Sequence, residues 1–285
     1  MLSDEDVRAL RRDALEIRVL TIDMIGHLGK GHIGGSLSII EILTLLYRKV
    51  MKVNPSDPSW AERDRFVLSK GHAGPALYAA LAYHGYFPVE WLHTLNEGGT
   101  QLPSHADMTR TPGIDMTAGS LGQGLSAAVG IALANQIDGK ERKTYCIIGD
   151  GESNEGQIWE AGMSASQFHL KDLIAFTDYN KMQLDGWMTD VMNVEDLNAK
   201  WLAFGWFVQR VDGHDFRQLE FAIERARKEQ CRPSMIIMDT VKGKGLPMAE
   251  NNPANHSMSY GITEASEVIS RLRAREARLE EVENG

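Results

Sequence analysis

The sequence predicts an α/β fold, a mostly parallel twisted sheet with helices on both faces, and three observations carry that expectation. From Thr144 onward the apolar runs "TYCIIG", "DLIAFTD", "GWFVQRVDG" and "PSMIIMDTV" alternate with segments of helical spacing, which is βαβ rhythm. The centres of the first, second and fourth of these runs are continuously apolar, as strands covered on both faces must be. Glycine- and acid-rich segments, "GDGESN", "TDYNKMQLDG" and "VDGHD", fall at the carboxyl edge of the strands, where such sheets bind ligands.

Before those strands the periodicity is mostly helical. It predicts helices over Val7 to His27, over "SLSIIEILTLLYRKV" from Ser36 and over "GPALYAALAYHGY" from Gly74, with Gly- and His-bearing loops between them. After the strands, Ile262 to Gly285 is highly charged, with Val268, Ile269, Leu272 and Leu279 spaced for a helix; it predicts a terminal helix with a solvated face or a docking surface. The expected division is therefore a domain over 1–261 and a charged helical tail over 262–285. With 285 residues and 43% hydrophobic content the chain can bury a sizeable core. A net charge of -9 with scattered basic residues leaves no footprint for nucleic acid or an anionic membrane. Two cysteines, Cys146 in an expected strand and Cys231 beside Arg232 and Pro233, argue against a disulfide framework and for a reducing compartment. The first residues lack an apolar signal core and no run of about 18 apolar residues follows, so the expected location is cytoplasmic.

The stretch "IIGDGESNEGQ" places Asp150 at a strand end, between two glycines that let backbone approach a ligand without Cβ atoms in the way. Thirty residues on, Asn180 falls at the equivalent edge of the next strand. Oxygen donors of this kind suit Mg²⁺ or Ca²⁺ rather than zinc, and a helix opening after "GES" would aim free N–H groups at phosphates. Alone, "GDG" is only a turn signal. The same holds for "GSLGQG", a plain loop before a helix, with neither the spacing nor the preceding strand of a Rossmann fingerprint. His32, His72, His105 and His256 lie in expected loops among small residues; a lone loop histidine is most often merely solvated.

Together the motifs resemble a known family. "GDGESNEGQIWEAGMSASQFHLKDLIAFTDYNKMQLDG" is similar to the thiamin-diphosphate signature, which opens with GDG and closes about 30 residues later with Asn. More narrowly, "GKGHIGGSLSIIEIL", "DRFVLSKGHAGPALYAAL", "LPSHADMTRTPGIDMTAGSLGQGLSAAVGIALA" and "DGHD", in that order, resemble the N-terminal half of transketolase up to about Gly261. The resemblance implies thiamin diphosphate with Mg²⁺ or Ca²⁺ as cofactors. Asp150, Asn180 and the main-chain carbonyl of Met182 would hold the metal, with Gly151 and His72 near the diphosphate and Gly119, Leu121 and Gly122 lining the cofactor. His32, His105 and His256 would bind donor hydroxyls and the carbonyl and move protons, a task suited to imidazole. Glu155 matches the acid that meets its counterpart across a dimer. The tail "ANHSMSYG" departs from the family's usual continuation after the last histidine.

A complete transketolase would also carry a pyrimidine-binding α/β domain and arginines for a sugar phosphate, and Ile262 to Gly285 has no room for them. The resemblance thus implies the N-terminal subunit of a split enzyme. It would transfer a two-carbon ketol unit from a ketose (phosphate) to an aldose (phosphate), joined to a C-terminal partner in a dimer of heterodimers. The α chain of a 2-oxoacid dehydrogenase and a non-catalytic thiamin-diphosphate binder are the alternatives; the former would lack the histidines of "GHIGG" and "SKGHA". Which sugar is used is not legible.

Overall fold

The computed structural model describes residues 1–184 and 186–284, so Asp185 of the "TDYNKMQLDG" motif and Gly285 of the terminal segment lie outside the described residues. Its strands are β1 (Lys30–Gly31), β2 (Arg65–Leu68), β3 (Thr144–Gly149), β4 (Leu173–Tyr179), β5 (Met182–Gln183), β6 (Gly186–Trp187), β7 (Phe207–Asp212), β8 (Ser234–Asp239) and β9 (Met258–Ser259). The main sheet runs β2-β3-β4-β8-β7 and every pairing in it is parallel. Four of its strands stand where the apolar runs predicted them. The edge strand β2 was not expected, because the first third read as helix and loop. "RFVL" is too short, and too closely flanked by charge, to show a period of its own, and it becomes a strand by pairing Arg65–Leu68 with Thr144–Ile147.

Continuous apolar strands are explained by two separate cores. Tyr145, Ile147, Ile174, Phe176, Ile236 and Met238 face one, while Cys146, Ile148, Leu173, Ala175, Met235 and Ile237 face the other. Neighbouring residues alternate between the cores because strand side chains alternate between faces. The first core receives α1 (Asp4–Leu28), α2 (Ile33–Leu37), α3 (Ile40–Leu45) and α4 (Gly74–Tyr83); the second receives α5 (Gln123–Ile137), α6 (Gly156–Gln167), α7 (Met188–Val191) and α8 (Leu197–Ala203). Helix α9 (Phe216–Lys228) and the terminal α10 (Ile262–Asn284) return to the first core. Helix α1 opens three residues before the expected Val7 because Ser3 and Asp6 form a reciprocal capping box there. Helix α10 lies against α1, with Ala265 packed at Gly26 and Arg273 paired with Glu16 at 2.9 Å.

The helix expected from Ser36 is instead interrupted. Ile39 leaves helical geometry between α2 and α3, and a π-helical turn follows over Leu46–Val50. The break frees Ser38, whose hydroxyl donates to Asp178 Oδ2 at 2.7 Å, a tertiary bond competing with helix continuity. Antiparallel pairing of Lys30–Gly31 with Met258–Ser259 ties the far end of the chain to the loop before α2. Among the described residues no helix is long and apolar enough to cross a membrane.

Candidate active site

Four adjacent strands deliver side chains to one cleft of about 360 Å³ at the carboxyl edge of the sheet. Beyond β2 come Lys70 and His72; beyond β3, Asp150 and Gly151; beyond β4, Asn180; and beyond β8, Lys242. The approach of the last loop depends on a glycine. A Cβ on Gly151 would stand 2.9 Å from that of Gln183, so a side chain there would push the 180–184 loop off the "GDG" turn. Lys181, in that loop, is held in the left-handed region at φ 67°, a conformation a non-glycine residue adopts at a cost.

Asp150 is 2% exposed, and its two oxygens accept backbone N–H bonds from Gly151 (2.8 Å) and Lys181 (2.5 Å). No lysine or arginine side chain forms an ion pair with it among the described residues. Burial, and then the nearby Asp178 carboxylate, push its carboxyl up to about 7. Among the described residues the nearest positive influence on this buried acid is the Lys242 ammonium, which acts on it without forming an ion pair. Asn180 is oriented by donating to Asp178 Oδ2 (2.8 Å) and accepting from Met182 N (3.1 Å). Among the described residues no three His, Cys, Asp or Glu side chains converge as a metal cluster. A hard divalent ion would therefore meet a sparse oxygen set, Asp150, Asn180 and main chain, which leaves coordination positions for oxygens of a bound ligand; these donors fit a magnesium diphosphate.

Beneath this edge lies a charged floor. Lys70 is paired with Asp178 at 2.6 Å and also donates to Gly35 O at 2.6 Å. Burial alone would raise the Asp178 carboxyl, but the Lys70 ammonium and the hydrogen bonds from Lys70, Thr240 and Ser38 outweigh it and hold the group below the ordinary carboxylate range. Burial lowers Lys242 to about 8, so it remains mostly an ammonium at pH 7. Buried Glu152 accepts from Ser69 and from the backbone N–H groups of Gly122 (2.8 Å) and Gly149 (2.9 Å), fastening three site segments to one carboxylate.

The four loop histidines meet in the same cleft. The rings of His32 and His105 are 5.6 Å apart, those of His32 and His256 5.3 Å, and those of His72 and His256 4.8 Å. Burial depresses all four imidazoles, His256 to about 4, and neighbouring Lys70 and Lys242 press His72 and His256 further. At pH 7 they are neutral rings able both to donate and to accept.

Of the residues singled out in the sequence, His32, His72, His105, His256, Gly119, Leu121, Asp150, Gly151, Glu155, Asn180 and Met182 all line this cleft. Gly122 does not. It caps α5 at φ 85° and turns its N–H to Glu152. The "GES" segment is a 3-10 turn, and the following α-helix begins only at Gly156. Sequence reasoning missed Lys70, Lys242, Glu152 and Asp178. Lys70 lay inside the quoted "SKGHA" without being singled out, and Lys242 sat in "TVKGKG", where a lysine beside glycines gives no spacing to read. A larger cleft, about 650 Å³, lies elsewhere, between α1, α10 and the loop bearing His214; it holds none of these groups.

Comparison with known proteins agrees with this geometry. The family model for the transketolase thiamine diphosphate binding domain matches residues 10–278. A 6-deoxy-6-sulfo-D-fructose transketolase subunit, SqwG, from Clostridium sp. (strain MSTE9) is 59% identical over 87% of this chain and 90% of its own length. An apulose-4-phosphate transketolase subunit of Phocaeicola vulgatus is 36% identical over 97% of both chains. Among solved structures, transketolase from Campylobacter jejuni superposes with a TM-score of 0.87 at 31% identity, covering 94% of this chain and 42% of that one. The chain thus spans nearly all of these subunit relatives but under half of that solved transketolase. It belongs to the transketolase family, as an N-terminal, thiamine-diphosphate-binding chain of the extent found in split transketolases.

Proposed function

We propose that this chain is the diphosphate-binding subunit of a two-subunit transketolase, moving a two-carbon ketol unit from a ketose to an aldose once a separate C-terminal subunit completes each site. The observation that supports it best is one cleft uniting a cation-poor buried carboxylate, an oriented Asn and four neutral imidazoles. Asp150, Asn180 and the Met182 carbonyl hold Mg²⁺, while Gly151, His72, Lys70 and Lys242 surround the diphosphate. When bound, thiamin diphosphate supplies the electron sink for breaking the carbon–carbon bond beside a ketone. His32, His105 and His256 bind the hydroxyls and carbonyl of the sugar and move protons at those oxygens. Glu155, at the rim, faces its counterpart across a dimer of heterodimers in the cytoplasm.

The donor we propose is a 6-deoxy-6-sulfoketose. The sulfofructose transketolase relative, at 59% identity, stands well above the single-chain transketolases at 34–38%. No arginine lines the cleft among the described residues. The far anionic end of the sugar is then read by the partner subunit. Removing two carbons from 6-deoxy-6-sulfo-D-fructose leaves a four-carbon sulfo-aldose. The test mixes this chain with its C-terminal subunit, Mg²⁺ and thiamin diphosphate, and follows that product with ribose 5-phosphate as acceptor. Turnover only in the mixture, and faster from the sulfoketose than from fructose 6-phosphate, is expected. A preference for fructose 6-phosphate removes the donor assignment, and no ketol transfer from either removes the transketolase reading.

A further inference from the structure

The segment after β8, "TVKGKG" over 240–245, brings Lys242 into the cleft, yet Gly243 and Gly245 sit at φ 80° and 86°. Backbone interrupted by two left-handed glycines does not hold a lysine in place by itself. It is pinned from the side away from the cleft. Val241 N–H donates to His214 Nε2 at 2.9 Å, which leaves Nδ1–H to donate to Glu41 Oε2 at 3.0 Å. The other oxygen of Glu41 pairs with Arg18, and Arg18 Nη1 donates to Lys244 O at 2.6 Å and to Leu37 O at 3.0 Å. Two further bonds fix the backbone beside Lys242: Gly243 N to Gly34 O at 2.9 Å, and Asn255 Nδ2 to Lys242 O at 3.2 Å.

We propose that Arg18, Glu41 and His214, at the wall of the larger cleft, form a strut whose task is to position Lys242 against the diphosphate, making them positioning residues of the site although none of them lines it. The inference rests on the diphosphate-site reading above. Burial pushes the Glu41 carboxyl up, but the Arg18 guanidinium and the His214 hydrogen bond outweigh it and hold it at about 2, so the centre of the strut stays ionised. The geometry at Gly245 also fits a strut. A Cβ there would stand 2.9 Å from Arg18 Cδ, so the backbone lies directly on the guanidinium stem. The "DGHD" motif thereby gains a role: just past the end of β7 it places a histidine that holds the neighbouring strand's loop from behind.

The test is calorimetric titration of the full 285-residue chain with magnesium pyrophosphate, a probe that needs only the diphosphate half of the site. Lys242→Met should weaken binding about tenfold to hundredfold, the loss of one charge-assisted contact. His214→Leu should weaken it about tenfold, and the double variant should bind within about twofold of Lys242→Met, because an unpositioned lysine and an absent one are equivalent. His214→Gln, whose Oε1 can accept the Val241 N–H, should recover most of the loss; His214→Asn, too short to reach it, should not. That contrast carries the test if the leucine variant does not fold. Losses that multiply in the double variant, or equal binding by the Gln and Asn variants, overturn the strut while leaving the site. A wild-type chain that takes up no magnesium pyrophosphate overturns the diphosphate-site reading and the strut with it.

Discussion

Replacing Lys70 with methionine removes the cation beneath the site. Lys70 is 2% exposed and Asp178 0%, so the substitution strands a carboxylate where water cannot reach it. Breaking a buried ion pair from one side costs about 3–5 kcal/mol. Here the lower end applies, since Ser38 (2.7 Å), Asn180 (2.8 Å) and Thr240 still donate to Asp178. About 3 kcal/mol corresponds to roughly 5–10 °C in a chain of this size. The pH dependence fixes the cause. The Asp178 carboxyl is depressed in the native protein, so its stabilisation is complete above the unfolded carboxylate pKa of about 4 and is lost as pH falls through the lower native value. The stability gap between wild type and Lys70→Met should be widest near neutrality and shrink on acidification. Urea unfolding at several pH values measures it, with Lys70→Met/Asp178→Asn expected to regain most of the loss. A single-variant loss below about 1 kcal/mol, or a double variant that loses the sum of both singles, would refute the account of this floor.

Three other substitutions test the cleft and the packing behind it. Asp150→Ala should abolish Mg²⁺-dependent uptake of thiamin diphosphate, as chelation does in the wild type, and unchanged affinity by calorimetry would sink the metal assignment. His105→Ala should keep cofactor affinity within about threefold while turnover with the partner subunit falls about 10²–10⁴-fold; a loss confined to affinity would move His105 from proton work to cofactor binding. Gly34→Ala puts a Cβ 2.5 Å from Asn255 O and should cost about 1–3 kcal/mol by displacing the residue before His256. An unchanged melting temperature would show that this loop yields freely.

What could be read from the sequence followed from local repetition. Strands β3, β4 and β8 were legible because continuous apolar runs reflect burial on both faces, a property carried by each strand alone; the edge strand β7, with Gln209 and Arg210 at its centre, was legible from the apolar residues that flank them. Strand β2 was not, since four residues become a strand only through their partner, β3. The helix from Ser36 was read too long for a similar reason: at the break Ser38 is bonded to Asp178, 140 residues away, a contact no local period reveals. In the site, Asp150 and Asn180 announced themselves by their place at strand ends, and the histidines by their small neighbours. Lys70, Glu152, Asp178 and Lys242 gave no such signal. Each is a single charge whose meaning arises only when the sheet edge sets it against charges from other strands.

Those unannounced charges bear on the proton work proposed for the histidines. An exposed imidazole titrates near neutrality and would spend part of its time as a cation. Burial keeps His32 and His105 neutral, and Lys70 and Lys242 behind His72 and His256 raise the cost of a second positive charge there. A neutral ring can accept a proton from a sugar hydroxyl and donate to a carbonyl, whereas a protonated one can only donate. On the proposed reading the same two lysines supply the positive charge that a diphosphate needs, so the rings are not asked to. Lys70 is already committed to Asp178 and Gly35, and Lys242 is held by its backbone from behind, which keeps both ammoniums at the floor of the cleft instead of at its mouth. On the proposed reading the division of charge from proton transfer is therefore made by the fold, strand by strand, and the far end of the substrate is left to the partner subunit.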